Sequence, residues 1–359
     1  MHMSDALLSP ATGIFFWTGT LAAIAFSAKK LRENMDDKVV PLMGVLGAFI
    51  FAAQMINFTI PGTGSSGHLG GGMILAIILG PYPAFMAIAS VLVMQSLFFA
   101  DGGILALGCN IWNLGVYPCF VAYPLVYKPI VRKSGSARRI MAASILSVIV
   151  GLQLGALSVV LQTFLSGKTE IFFSTFVALM LPIHLAIGLI EGFITAGVVN
   201  YVRNIRPELI AVTSVSRNLA AGFSVKRVFF IFLSAALLTG GMLSWFASTN
   251  PDGLEWSIEK IYGAPELPEQ EHGIALVLKK IQEKTALLPD YNFKEGENKP
   301  DSHESGKGES TWPNTEAGTS AAGILGSAMV LCLIFLIGFG IRLSGKNKKT
   351  EKTNGNGIR

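Results

Sequence analysis

Apolar residues fall along the chain in long blocks parted by short polar stretches. The blocks cover roughly 12–28, 40–60, 72–80, 83–99, 103–127, 139–166, 171–203, 225–247 and 320–343. Apolar runs of about 18 or more residues read as transmembrane helices. They lack the polar–apolar alternation over about 10 residues that barrel strands need. The pattern therefore predicts an all-α polytopic membrane protein. The third block is short for a full span and ends at Pro81, which cannot continue a helical hydrogen-bond ladder, so it is expected to form a short or re-entrant helix.

Charge orders these segments across the membrane. Only 14% of residues are charged, against about 25% in an average soluble domain. The net charge is +5, and the basic residues lie between apolar blocks rather than along a nucleic-acid stripe. Clusters follow the first block (Lys29, Lys30, Arg32), the fifth (Lys128 to Arg139), the seventh (Arg203 to Arg227) and the last (Lys346, Lys348, Lys349). Placing all four in the cytoplasm puts the N-terminus outside, the loop 61–71 outside and the C-terminus inside. No basic leader with a small-residue cleavage site precedes the first block, so the native N-terminus is expected to persist. The three cysteines lie in apolar segments without a CxxC and read as small buried hydrophobes.

Composition divides the chain into a seven-segment bundle at 1–205, a cytoplasmic linker at 206–224 and a two-helix module at 225–345. That module has membrane helices at 225–247 and 320–343 around an external segment at 248–319, and residues 346–359 form a tail expected to be disordered. Within the external segment, Ile258, Ile261 and Ala264, and then Ile274 to Ile281, carry helical spacing, whereas Lys294–Ser320 reads as a linker.

Two of the five histidines fall on the outer face at unusual places: His2 is the second residue, and His68 sits in the run Gly64-Ser65-Ser66-Gly67-His68-Leu69-Gly70-Gly71-Gly72. A free α-amine on Met1, the amide nitrogen of His2 and its Nδ1 can close two fused chelate rings in one plane. An imidazole from His68 would complete a square-planar four-nitrogen site, a geometry that suits Ni(II) or Cu(II). Glycines would let the His68 loop approach the threaded N-terminus closely. The plainer readings are an accidental histidine at position 2 and a solvated one in the loop. A phosphate-binding loop would need Lys-Ser/Thr after its last glycine, and Leu69 stands after His68 instead.

Asp5, Asn57, Gln95 and Asn110, with Asn113 and Asp101 beside them, are candidates to support such ligands. His184 and Glu191 lie seven residues apart and share a helical face inside the membrane, as a structural pair or a functional one. Gly44, Ala48 and Ala52 form a small-residue stripe suited either to packing within the chain or to docking a partner subunit.

These residues resemble the CbiM/NikM family, the substrate-binding components of cobalt and nickel energy-coupling-factor transporters. The resemblance rests on Met1-His2-Met3-Ser4-Asp5, the His68 loop, Leu79-Gly80-Pro81, Gln95 to Gly103 and Ala106 to Asn110, and covers about 1–205. It implies a seven-segment bundle in the inner membrane of a bacterium or archaeon. It also implies metal ligation by the Met1 amine, the His2 amide and ring, and His68. Transported Ni(II) or Co(II) would be the cargo, with no permanent cofactor. The partners would be a transmembrane scaffold subunit, met through the Gly44–Ala48–Ala52 face, and two cytoplasmic ATPases. The stretch Asn250-Pro251-Asp252-Gly253-Leu254-Glu255 resembles the PDGLE accessory module, which implies a fusion of the two components. Met3 follows His2 where an aliphatic residue is common in the family, and translation from Met3 would delete the site. The expected function is metal capture without enzymatic activity. The rivals are a permease for a vitamin or other solute and an intramembrane enzyme built on His184 and Glu191; nickel and cobalt are not distinguished.

Overall fold

The structure, a computed structural model, describes residues 2–33, 38–132, 136–168, 170–205, 225–268, 273–293, 313 and 315–355. Eleven helices and one small hairpin make up these residues. The helices are α1 (Pro10–Glu33), α2 (Val39–Gln54), α3 (Gly72–Leu79), α4 (Pro81–Phe99), α5 (Leu107–Arg132), α6 (Ala137–Leu165), α7 (Phe173–Ile205), α8 (Val225–Gly241), α9 (Gly253–Tyr262), α10 (Ile274–Thr285) and α11 (Ala317–Gly355). Six of them are long and apolar enough to cross a membrane, and α2 is a shorter apolar helix. At about 1.5 Å per residue α3 is only ~12 Å long, too short to span. Gly80, at φ +82°, turns the chain before Pro81 opens α4.

The bundle is apolar on its outer surface and buries polar side chains within an apolar core. Phe15, Leu165 and Phe193 are 73%, 67% and 54% exposed, whereas Thr20, Ser144, Ser147 and Gln162 are fully buried. An apolar outer surface is expected where lipid is the solvent, and two of these buried groups, Thr20 and Gln162, bond across helices. Thr20 Oγ1 donates to Gly108 O at 2.7 Å between α1 and α5. Within α5 the turns from Trp112 to Tyr127 widen to π geometry around Pro118 and Pro124, each of which lacks an N–H for the ladder.

The stripe on α2 is occupied by this chain's own later helices. A β-carbon on Gly44 would meet Leu331 and Phe335 of α11, and one on Gly47 would meet Ile334 and Val330. Ala48 and Ala52 pack with Ala236 of α8, and Ser327 Oγ donates to Ala48 O at 3.2 Å. The structure thus corrects the expectation of a free scaffold-docking face at Gly44, Ala48 and Ala52: the small residues let two intrachain helices approach closely, and the face is buried. The last helix also differs from expectation, running on to Gly355 through most of the stretch expected to be disordered. Lys and Glu are good helix formers, and each extends an existing helix with one further bond. The linker 206–224, most of 294–314, His272 and His303 lie outside the described residues.

Connecting segments gather at one end of the bundle, here the mouth. An antiparallel hairpin, β1 (Phe58–Ile60) with β2 (Ser65–Gly67), pairs Phe58 with Gly67 and Ile60 with Ser65. Gly62 and Gly64, both at φ +77°, make its turn. Segments of the later region close over the mouth: Ser66 N–H donates to Pro251 O at 2.8 Å, Ser248 N–H to Asn57 O at 2.7 Å and Leu287 N–H to Phe98 O at 2.9 Å.

Candidate metal-binding site

His2 is placed by the residue after it. Met3 N–H donates to Asn110 Oδ1 at 2.9 Å, and Asn110 Nδ2 donates back to Met3 O at 3.2 Å. One amide side chain on α5 thereby does the work of a neighbouring strand. Gly103 N–H adds a 3.0 Å bond to Met3 O. The Met3 side chain is fully buried, with its sulfur 3.8 Å from Asn113 Nδ2, and Asn113 is itself held by Gln162. Asp5 Oδ1 accepts from Ala106 N–H at 2.9 Å, where the positive end of α5 favours a carboxylate. Burial nevertheless pushes the Asp5 carboxyl up, against the N–H bonds of Ala106 and Leu105. A β-carbon on Gly103 would overlap Asp5, so only glycine fits there.

The His68 loop is held from below. Glu191 of α7 accepts from Gly70 N–H at 3.0 Å and from Gly71 N–H at 2.9 Å, and so caps the start of α3 with a carboxylate. Gln54 Nε2 donates to Gly70 O at 3.0 Å, and Gln95 Nε2 donates to Gln54 Oε1 at 2.9 Å. Gly71 sits at φ +74° against Ile50, where a side chain would be both strained and crowded.

These anchors bring the two imidazoles together. Their ring centroids lie 5.1 Å apart with 8° between the planes. With metal–nitrogen bonds near ~2 Å, rings this close can share one ion once their nitrogens turn toward it. His68 Nδ1 lies 3.1 Å from Leu69 O. A proton on Nδ1 satisfies that carbonyl and leaves Nε2 as the ligating atom. Burial pushes the His68 ring down to about 3, so it stands neutral and needs no proton loss before ligating. His2 Nδ1 lies 3.0 Å from Asp101 Oδ1, while its Nε2 is buried without a partner. Burial alone would raise Asp101, but the His2 ring and the Tyr291 hydroxyl outweigh it and hold the carboxyl at about 2. Among the described residues no three His, Cys, Asp or Glu side chains form a metal-holding cluster.

The later region forms the roof. Asp252 Oδ1 accepts from Leu254 and Glu255 N–H at 2.7 and 2.9 Å, and Glu255 Oε2 accepts from Asp252 N–H at 2.9 Å, a full capping box on α9. The other oxygen of Asp252 lies 3.9 Å from His68 Nε2. Burial and the Asp252 charge push the Glu255 carboxyl up to about 7. Trp256 Nε1 donates to Thr63 O at 3.0 Å, locking α9 to the hairpin turn. Between roof and bundle is an opening of about 930 Å³ that His2, His68, Asp101, Asp252, Glu255 and Tyr291 help to line.

The sequence-predicted residues meet different fates. His2 and His68 come together, while Met1 lies outside the described residues. Asn110, Asp5 and Gln95 hold the chain and the loop that carry the two rings; Asn57 lines the opening and meets the later region through its carbonyl. His184 and Glu191 do not act on one another: His184 Nδ1 bonds Met180 O of its own helix at 2.8 Å, and Glu191 serves the His68 loop. Asp252 and Tyr291 were not among the expected site residues. The first lay within a motif read for its resemblance alone, and the second carried no local signal.

Fold and site together define a multi-pass helical membrane protein whose mouth holds two stacked imidazoles beneath a roof from its own later segment. Comparison with known proteins places it further. Residues 2–209 match the family model described as the cobalt uptake substrate-specific transmembrane region, and 226–343 match the PDGLE domain. The chain belongs to this CbiM family and carries a PDGLE domain fused behind it. It is 33% identical over 339 residues to a protein of Archaeoglobus fulgidus named for fused nickel transport, covering 94% of this chain and 98% of that one. It is also 28% identical over 229 residues to a cobalt transport protein of Sorangium cellulosum, covering 62% of this chain and all of that one. A crystal structure of a transition metal transporter matches with TM-score 0.52 and 29% identity, covering 59% of this chain and 96% of that one. The protein is a multi-pass membrane component of cobalt or nickel transport.

Proposed function

We propose that this chain captures one divalent cation, nickel or cobalt, at its mouth for ATP-driven uptake. The observation that carries the reading is the pairing of the His2 and His68 rings at the mouth, 5.1 Å apart, with the His68 ring neutral. Side chains alone do not complete a metal site among the described residues, so main-chain nitrogen is the natural remaining source. The Met1 amine and the His2 amide supply it, and with both rings they make a planar four-nitrogen set that leans toward nickel. Ligation by the amide releases its proton, so affinity rises with pH.

The mouth faces the outside and both the linker and the C-terminus face the cytoplasm. The basic residues at the far ends of α1, α5 and α7 and the near end of α8 support this orientation. The chain is not an enzyme; ATP hydrolysis belongs to two separate ATPases acting through a transmembrane scaffold subunit. With α2 covered, that scaffold meets a different face from Gly44, Ala48 and Ala52.

Calorimetric titration with NiCl₂ and CoCl₂ tests the capture step. His2→Ala, His68→Ala and a residue added before Met1 should each abolish high-affinity binding. Wild-type binding by the extended chain would remove the terminal amine from the ligand set. ATP-dependent uptake in vesicles only when scaffold and ATPases are added would establish the coupling.

A further inference from the structure

Asp101 carries two contacts that the ligand set does not use. Its Oδ1 faces His2 Nδ1 at 3.0 Å, and its Oδ2 accepts from the Tyr291 hydroxyl at 2.5 Å. Tyr291 comes from the far side of the chain, 190 residues later. The turn that delivers it, Pro289–Tyr291, holds Asp290 at φ +50° and Tyr291 at φ +59°, two successive non-glycine residues in the left-handed region. Such backbone persists only where the surroundings enforce it. The enforcement is visible: the Tyr291 ring stacks on Phe99 at 5.2 Å and meets Phe51 at 6.2 Å. Leu287 and Leu288 N–H both donate to Phe98 O, and Gln282 Nε2 donates to Ser96 O and Gly102 O at 2.8 Å each. The fold thus aims one phenol at one carboxylate, which faces a proposed ligand.

We infer that Tyr291 is a positioning residue for metal capture, fixing Asp101 as the acceptor for whichever ring N–H of His2 is not on the metal. In the structure Nδ1 faces the carboxylate. When Nδ1 takes the cation, the ring must rotate, the remaining N–H is on Nε2, the nitrogen now buried without a partner, and Asp101 is the acceptor it turns toward. A carboxylate behind a ligating imidazole fixes its tautomer and orientation and raises its basicity. Without the phenol, Asp101 keeps its charge and loses its aim. The inference rests on the proposed His2–His68 site and assigns the PDGLE-bearing segment a single-atom role in it.

Tyr291→Phe is the direct test, because it keeps the stack on Phe99 and deletes only the hydroxyl. Full-length protein in detergent is titrated with NiCl₂, alongside Asp101→Asn and His68→Ala. Tyr291→Phe should weaken binding about 10-fold and Asp101→Asn up to about 100-fold, the range for partners behind a metal-bound histidine. The visible ligand-field band of the remaining bound nickel should shift in both variants, a readout that loosened packing alone would not move. Wild-type affinity and an unshifted band in Tyr291→Phe, with binding lost in His68→Ala, would overturn the role of Tyr291 and leave the site intact. Binding retained in His68→Ala would overturn the site itself and this inference with it. Slower hydrogen exchange at Leu287 and Leu288 than in a Tyr291→Ala control shows that the segment stays docked in Tyr291→Phe.

Discussion

The bundle before residue 206 and the region after residue 224 both shape the mouth, but by different means. The bundle places its histidines through buried side chains that bond main chain: Asn110 to Met3, Glu191 to Gly70 and Gly71, Gln54 to Gly70. The later region places Asp252 through a capping box and Tyr291 through a strained turn. In the first case a missing partner strands a buried polar group; in the second it leaves a group close to water. The difference teaches that the ligand-bearing half is held by side chains buried in the bundle, while the roof is held by contacts around the opening.

Several substitutions probe that difference. Glu191→Ala should be the most damaging, since it strands the Gly70 and Gly71 N–H groups in the interior; the cost should be about 3 kcal/mol. Thermal unfolding in detergent would show it, with metal affinity falling as the His68 loop loosens. Asn110→Ala strands the Met3 N–H and one bond to its carbonyl and should cost about 2 kcal/mol. Here the loss of metal binding should exceed the loss of stability, because His2 is freed next door. An Asn110→Ala variant that binds nickel normally would show that the N-terminal strand is held by something else.

Effects in the roof should be smaller. Asp252→Ala removes the cap of α9 and should cost about 1 kcal/mol, read as faster hydrogen exchange in α9 with the bundle unchanged. Equal protection loss in α3 would merge the two regions into one cooperative unit. Glu255 gives the weakest signal. Its carboxyl titrates near 7 in the folded protein and near the ordinary 4.5 when unfolded. The folded state then binds the extra proton between these values, so this group's contribution is present below about 4.5 and is lost as pH rises to 7. Glu255→Gln keeps a capping-box partner and should flatten that part of the stability–pH curve; an unchanged curve would show that Glu255 is not strained by Asp252.

Much of this was legible from the residues themselves. Length and apolarity located the six helices long and apolar enough to cross a membrane, and the brevity of the run before Pro81 foretold α3. The positions of His2 and His68 singled out two rings that the fold brings to within 5.1 Å of one another; their use as ligands with Met1 is proposed. The hairpin escaped notice because three-residue strands carry no periodicity, and its register depends on the Gly62–Gly64 turn and on Pro251. The use of the α2 stripe was ambiguous in principle: small residues announce a close neighbour without saying which. Tyr291 was invisible because Pro289-Asp290 marks a turn without saying that it delivers a phenol to Asp101, 190 residues away.

The central claim is that His2 and His68 share one cation. X-ray absorption at the nickel edge of the loaded full-length protein counts imidazoles directly. The account predicts a shell of nitrogen donors with two imidazoles in the wild type and one fewer in any metal retained by His68→Ala. A shell dominated by oxygen or sulfur, or an imidazole count unchanged by that substitution, would contradict it.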